Sequence, residues 1–476
     1  MKYGSSQPKR YRDFFLELRS QPRGAFSARV VASPAGESEE YRLQLSVSPG
    51  DIEDTLASVT YSSGNFLKRS KPSGTYDPVI TLGERLFQDL VRESPIGRLF
   101  RQTQELTQSR SEGLRLRIVA QDQAVLAIPW EFLFDSTQSS FLALSLRTPV
   151  VRRLADAPSH QLKPVDLPLR CLVVSAEVND FDADQEIAIL RELGQNSGML
   201  DLQVVDAATF SAFRQALGAY QPHIVHFIAP GAYGNRRGRW SPAKPAMASG
   251  DNQGLLFLGE QNEHEDQLES ADFVPAAELG EALQEDRELR FVVLNGCDTD
   301  LVAAELSRQT PAVLGIRARV LSWTCQAMTQ GLYEALLDHQ PLEAAVTAGR
   351  QEVDRRHPGT REWGLPTFYL SAAHGILLTA EGKRSTSALD STPESTAADT
   401  GSTVVGGLTT LTAADVREQR RLQSLLDLEM RNRDLLRAQQ NTLGEATPEF
   451  IKSQLIEAEQ KVADLQTKLQ AYPLQS

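Results

Sequence analysis

The stretch RFVVLNGCDT (290–299) decides the fold, together with HIVHFIAPG (223–231) upstream of it. Each begins as a short β-branched apolar run, which is typical of a parallel strand that is covered on both faces. The first run stops at Cys297, and the second ends in a turn at Pro230. Open parallel sheets carry their sites at the carboxyl ends of strands. We therefore expect Cys297 and Pro230 to face each other at such an edge.

The region from about residue 169 alternates between apolar runs and amphipathic segments. The apolar runs occupy 169–176, 200–206, 223–229, 254–259 and 291–297. Helical spacing separates most of these runs, for example over 184–195 and 210–217. This alternation predicts the α/β class, with a mostly parallel sheet flanked by helices. We expect the sheet core at about 169–380, within a domain covering 81–380.

The N-terminal part of the chain has a different pattern. Residues 24–47 contain two apolar runs separated by a Pro-Ala-Gly turn, which indicates paired strands. We therefore expect an N-terminal β-containing extension over residues 1–80.

The C-terminal part begins with a segment rich in Ser, Thr and Gly, which predicts a linker at 381–410. A capping pattern at Thr412 and an N-cap at Thr447 then open two leucine-rich helical segments. Because Gly444 lies between these segments, we expect a helical hairpin over 411–471. Its apolar stripe predicts docking to a protein partner or self-association.

Composition excludes several classes of function. The chain has 476 residues, 41% of them hydrophobic, and a net charge of −13, which argues against nucleic-acid binding by the whole surface. Three cysteines without metal spacing favour a reducing, cytoplasmic setting. The N-terminus lacks a signal-peptide pattern, and no apolar run is long enough to span a membrane. The usual motifs for nucleotide, dinucleotide, esterase and zinc chemistry are absent, so we expect neither cofactor nor metal.

Several segments, in order along roughly residues 80–380, resemble the CHAT domain family of caspase- and separase-like cysteine peptidases. They are IPWEFLFD (128–135), TPVVR (148–152), HIVHF (223–227), GLLFLG (254–259), VVLNGC (292–297) and EWGLPTFYLSAAHGILL (362–378). The resemblance implies a caspase-like α/β fold and, where the catalytic pair is intact, endopeptidase activity. It also implies a bacterial protein of a regulated conflict or signalling system, activated by a partner.

The family motif implies roles for individual residues. Cys297 matches the nucleophile, whereas the general base is normally the second histidine of H-F-x-G-H-G. His226 matches the first histidine of that motif, and Pro230 occupies the position of the base. Proline can neither generate a thiolate nor protonate a leaving amine. The leading interpretation is a pseudoprotease with a regulatory or scaffold role.

An active cysteine endopeptidase that uses a non-standard histidine remains the alternative. His226 is the obvious substitute base in this chain, although its place inside an apolar run is more typical of a hydrogen-bonded core histidine. A partner could also supply the histidine.

A basic segment follows the Pro-Gly turn. YGNRRGRWSPAK (233–244) carries Arg236, Arg237, Arg239 and Trp240, which makes it a candidate loop for binding an anion or a partner. A solvated insertion explains the same composition. We expect this loop to lie on the same rim as Cys297.

Overall fold

The computed structural model describes residues 10–59, 77–92, 94–176, 183–206, 208–235, 240–241, 252–259, 273–286 and 288–378, and single helical positions between 430 and 469. The chain divides into two compact units. One comprises Met1–Tyr61 and Gly74–Ser385, and the other comprises Ser62–Ser73 and Thr386–Ser476.

The strands of the first unit are β1 (Tyr11–Ser20), β2 (Ala25–Ala32), β3 (Tyr41–Gln44), β4 (Gly113–Ala120), β5 (Phe134–Asp135), β6 (Ser140–Phe141), β7 (Val150–Leu154), β8 (Leu169–Ser175), β9 (Leu200–Val205), β10 (Ile224–Ile228), β11 (Gly231–Asn235), β12 (Trp240–Ser241), β13 (Asn252–Phe257), β14 (Phe273–Pro275), β15 (Phe291–Leu294), β16 (Ala312–Ile316) and β17 (Pro366–Leu370). The helices are α1 (Pro49–Val59), α2 (Pro78–Val91), α3 (Pro95–Ser109), α4 (Gln123–Ala127), α5 (Ala183–Ser197), α6 (Phe210–Tyr220), α7 (Ala276–Gln284), α8 (Asp300–Leu306), α9 (Ser322–Leu337) and α10 (Leu342–Arg356).

Within the described residues, eleven strands form one sheet in the order β3-β2-β1-β4-β7-β17-β16-β15-β10-β8-β9. The pairs β1/β2, β2/β3 and β16/β17 are antiparallel, and the other neighbours are parallel. The predicted α/β class with a mostly parallel sheet flanked by helices is therefore confirmed. The strands after residue 169 occupy one side of this sheet, from β17 to β9. Strands from the N-terminal part continue the same sheet on the other side.

The two strands that carry the sequence motifs are neighbours, as expected. β10 pairs in parallel with β15, in a register from Ile224 opposite Phe291 to Phe227 opposite Leu294. All residues of both strands are buried, which explains their unbroken apolar sequence. Their carboxyl ends therefore lie side by side.

A buried ion pair joins two of the segments that the sequence singled out. Glu131, in the segment 128–135, accepts hydrogen bonds from Arg152 of β7 at 2.8 and 2.6 Å, and both side chains are fully buried. Arg152 also donates to the backbone carbonyls of Leu126 and Ile128. Burial opposes the ionisation of Glu131, but Arg152 and two further arginines hold its pKa below the usual value. The ion pair therefore holds the segment before β5 against strand β7.

A second sheet, which is antiparallel, begins just after β10 in the chain and has the strand order β12-β11-β13-β14. Its strand β13 lies directly on the start of α8, because a Cβ atom on Gly254 would come within 2.5 Å of the Val302 backbone nitrogen. The chain that leaves Pro230 is thus built into a small sheet beside the motif strands.

The C-terminal unit is described only at separate helical positions. Arg437 Nη2 lies 2.9 Å from Glu459 Oε1, so an ion pair connects the two segments in which helices were predicted. Leu455 and Val462, seven residues apart, are both buried. Gly444 and the 381–410 linker lie outside the described residues, and the domain boundaries and the hairpin stay predictions. No helix in the described part of the chain is long and apolar enough to cross a membrane.

Truncation of Glu131 should destabilise the protein strongly. We expect Glu131→Ala to lower the free energy of unfolding by about 3–5 kcal/mol, because it leaves the Arg152 charge buried without its partner. Chemical denaturation measures this loss. The matched control is Glu17→Ala, which removes a partly exposed ion pair with Arg29 and should cost about 1 kcal/mol or less. Equal losses in the two variants would contradict the assigned role of the buried pair.

Candidate functional site

The loops that follow β10 and β15 are in direct backbone contact. The Gly231 amide donates a hydrogen bond to the Cys297 carbonyl at 2.7 Å. A Cβ atom on Gly296 would lie 1.9 Å from the Ala229 carbonyl oxygen, and one on Gly231 would lie 2.4 Å from the Asp298 carbonyl oxygen. Only glycine allows this close approach at both positions. Pro230 and Cys297 therefore occupy adjoining loops at the carboxyl edge of the sheet.

The Cys297 side chain is partly buried, and the backbone of Val320 lies against its thiol. Its Sγ donates to the Val320 carbonyl at 3.5 Å and accepts from the Val320 amide at 3.4 Å. Burial raises the pKa of the thiol to about 11, and the hydrogen bond from Val320 offsets this only in part. The nearby carboxylates of Asp298 and Glu362 raise the pKa further, whereas Arg319 lowers it. At neutral pH the cysteine is therefore a neutral thiol.

Pro230 offers no proton-transfer group to this thiol. It is partly exposed at the rim, and its carbonyl accepts a hydrogen bond from the Phe257 amide of β13 at 3.0 Å. The pyrrolidine ring has neither a donor nor an acceptor for a proton. Pro230 thus fixes the path of the chain into the small sheet.

His226 is fully buried, and both of its ring nitrogens are engaged. Nε2 lies 2.7 Å from Glu186 Oε1, and Nδ1 lies 2.9 Å from Tyr333 Oη. With Nε2 donating to the Glu186 oxygen, Nδ1 is left to accept from the tyrosine hydroxyl. In this geometry neither nitrogen is directed to Cys297.

His223 lies at the other end of β10. Its Nδ1 accepts a hydrogen bond at 3.2 Å from the amide of Arg170, near the first residues of β8 and β10. Burial, with the neighbouring Arg170 and Arg290, lowers the pKa of His223 to about 4. This histidine is therefore neutral at physiological pH and remote from the carboxyl edge.

The basic loop is described only at its base. β11 begins at Gly231, next to Cys297, and pairs with β12 so that Gly234 lies opposite Trp240. Arg236, Arg237 and Arg239 lie outside the described residues, so their place on the rim stays a prediction. Tyr233 is buried, and its hydroxyl donates to Asp300 Oδ1 at 2.8 Å, which fastens β11 to the start of α8.

Sequence reasoning missed the residues that surround the two motifs. Glu186 and Tyr333 bind His226, and Val320 encloses the thiol. Glu186 lies in the first turn of α5, where a carboxylate is ordinary helix chemistry, so the sequence carried no sign of its partners. In the described part of the chain, no group of three or more His, Cys, Asp or Glu residues is placed to hold a metal ion.

The pH dependence of Cys297 alkylation should reveal the raised pKa. Because only the thiolate reacts, a thiol with a pKa of about 11 should react about tenfold faster for each unit of pH up to pH 10. Peptide-resolved mass spectrometry with iodoacetamide measures the rate at this residue. A small cysteine peptide is the control, and its rate should level off above about pH 8.5. A plateau below pH 9 for Cys297 would contradict an enclosed thiol.

Comparison with known proteins gives the family. No curated protein matches the chain. Two crystal structures of the Saccharomyces cerevisiae separase–securin complex, at 2.6 and 3.0 Å resolution, match with 10% sequence identity and TM-scores of 0.39 and 0.38. Each match covers 75% of this chain but only 30% of that chain. The CHAT domain family model matches residues 81–371, which is more than half of the chain and includes both motif strands. The chain therefore belongs to the CHAT domain family.

Proposed function

We propose that this CHAT domain protein is a pseudoprotease that serves as a regulatory or scaffold component. One observation carries the proposal. Among the described residues, the hydrogen-bonding partner of the Cys297 thiol is the backbone of Val320, and the adjoining loop presents Pro230. The nucleophile position is kept, whereas the position of the base holds a residue without proton chemistry.

Peptide cleavage by cysteine needs two proton transfers that this arrangement does not support. A base must form the thiolate, and an acid must then protonate the departing amine. With a pKa of about 11, roughly one thiol in 10,000 is ionised at pH 7. Pro230 supplies neither step, so both requirements fail at one position.

The alternative is an active cysteine endopeptidase that uses Cys297 with a non-standard histidine. If His226 were that base, its bonds to Glu186 and Tyr333 would have to break first. Breaking a bond to a buried carboxylate is costly, because the carboxylate loses a charge-assisted partner. A histidine supplied by a partner avoids this cost and is the more favourable form of the alternative.

The biological setting follows from the family resemblance and is part of the proposal. We infer a bacterial conflict or signalling system, in which the domain receives or holds a protein partner. Cys171, Cys297 and Cys325 are all free thiols, which agrees with a cytoplasmic setting. The hairpin at 411–471 and the basic loop with Arg236, Arg237, Arg239 and Trp240 are the proposed partner contacts.

We expect the purified protein to cleave no peptide, and Cys297→Ala to leave its biological activity nearly intact. Pro230→His is the complementary change, because it places imidazole at the partly exposed position in the loop that adjoins the Cys297 loop. A peptide library read by mass spectrometry measures cleavage for each variant. Any cleavage gained by Pro230→His must disappear in the Pro230→His, Cys297→Ala double variant. Cleavage by the unmodified protein that Cys297→Ala abolishes would contradict the pseudoprotease and support the alternative.

Partner binding should depend on the C-terminal hairpin and on the basic loop. Removal of residues 407–476 should abolish capture of the partner and any self-association measured by light scattering. Replacement of Arg236, Arg237 and Arg239 by Glu should weaken capture without lowering the melting temperature. The control is the same threefold charge reversal at the exposed residues Arg92, Arg98 and Arg110, which should leave capture unchanged. If the partner is still captured after the truncation and after the charge reversal, the proposed contacts are wrong.

A further inference from the structure

One buried carboxylate is hydrogen-bonded to several of the elements that carry the site. Glu186 lies in the first turn of α5 and is 1% exposed. Its Oε1 accepts hydrogen bonds from His226 Nε2 at 2.7 Å, from Thr329 Oγ1 at 2.6 Å, and from Asn295 Nδ2. These three donors belong to β10, to α9 and to the residue that follows β15. One oxygen atom therefore joins four separate elements.

Asn295 and Thr329 connect Glu186 to the two segments next to the Cys297 thiol. Asn295 lies two residues before Cys297, and its amide also donates to the Cys325 carbonyl at 3.1 Å and to Thr329 Oγ1 at 2.9 Å. Thr329 belongs to α9, and Val320, whose backbone encloses the thiol, lies just before that helix. The loop that carries Cys297 and helix α9, which begins just after Val320, are thus both hydrogen-bonded to Glu186.

The hydrogen-bond network extends from His226 to Tyr333 and Cys171. His226 Nδ1 meets Tyr333 Oη, and that hydroxyl lies 3.6 Å from Cys171 Sγ of β8. Fully satisfied polar networks of this kind make a core rigid, and they become costly when one member is lost. Without the carboxylate oxygen, the donors on His226 Nε2 and Thr329 Oγ1 would each lose their acceptor in a dry interior, and Asn295 would keep only its bonds to Cys325 and Thr329.

We propose that Glu186 is a positioning residue that holds the Cys297 loop and helix α9 together, and so keeps the thiol against the Val320 backbone. Asn295 is bonded to α9 directly through Thr329 Oγ1 and the Cys325 carbonyl, and Glu186 Oε1 reinforces this contact by accepting from both Asn295 and Thr329. The inference concerns exposure of the thiol rather than turnover. Its test, the alkylation rate of Cys297, does not depend on whether the protein cleaves peptides.

The rate of Cys297 alkylation by iodoacetamide tests the proposal. Glu186→Ala should raise this rate by about tenfold or more at pH 8, because the lost hydrogen bonds open the enclosure. Glu186→Gln is the conservative variant, since it keeps an oxygen acceptor in the same place, and its rate should stay within about threefold of the unmodified protein. The alkylation of Glu186→Ala should also level off at lower pH, as an exposed thiol does. Unchanged rates in both variants would overturn the proposal.

Glu343→Ala is the matched control for general destabilisation. Glu343 is also buried and bonded, accepting from Arg115 Nη1 at 2.5 Å, but it lies on α10 and has no hydrogen bond to the Cys297 loop. This variant should lower the melting temperature and leave the alkylation rate within about twofold. An equal rise in the rate for Glu343→Ala and Glu186→Ala would assign the effect to stability alone and overturn the proposal.

Thr329 gives a second test that removes less of the network. Thr329→Val deletes the hydroxyl with little change of shape, whereas Thr329→Ser keeps it. We expect the valine variant to react faster at Cys297 and the serine variant to match the unmodified protein. This pair decides the question if Glu186→Ala fails to fold, and identical rates for the two would count against the positioning role.

Discussion

The close backbone approach of the loops after β10 and β15 is the constraint on which the site depends. Parallel pairing brings the two strand ends together, but their loops touch only because Gly231 and Gly296 carry no side chain. The hydrogen bond from Gly231 to the Cys297 carbonyl then closes the contact. Since this contact uses backbone atoms, it tolerates a change of side chain at Pro230. The proposed pseudoprotease would thus keep the frame of a catalytic pair without one member of that pair.

Buried carboxylates determine how the rest of the domain is assembled around this frame. Glu131 joins the segment before β5 to β7 through Arg152, and Glu186 joins α5 to both motif strands. A carboxylate in a dry interior is stable only when its oxygens accept several hydrogen bonds or meet a cation. Each therefore imposes a strict arrangement on its partners. The first holds two segments of the fold together, whereas the second bonds Asn295, two residues before Cys297.

The thiol environment explains why position and reactivity must be considered separately. Cys297 stands at the end of a buried strand, as a nucleophile would. The contacts of its sulfur, however, are backbone atoms of Val320, and burial keeps the proton on the sulfur. Ordinary nucleophilic cysteines have a lowered pKa because a cation or an imidazole lies beside them. The same strand end can therefore hold a thiol whose pKa is raised rather than lowered.

The sequence by itself determined the α/β class, the pairing of the two motif strands and the adjoining positions of Pro230 and Cys297. Strand hydrophobicity and turn residues are local properties, and the edge rule for parallel sheets turns them into a spatial prediction. Only the tertiary structure decided that the N-terminal strands extend the same sheet, and that Glu186 and Val320 surround the site. These contacts join residues far apart in the chain, and their side chains carry no local pattern. The two nitrogens of His226 are engaged for the same reason, because Glu186 and Tyr333 reach them only after the helices pack.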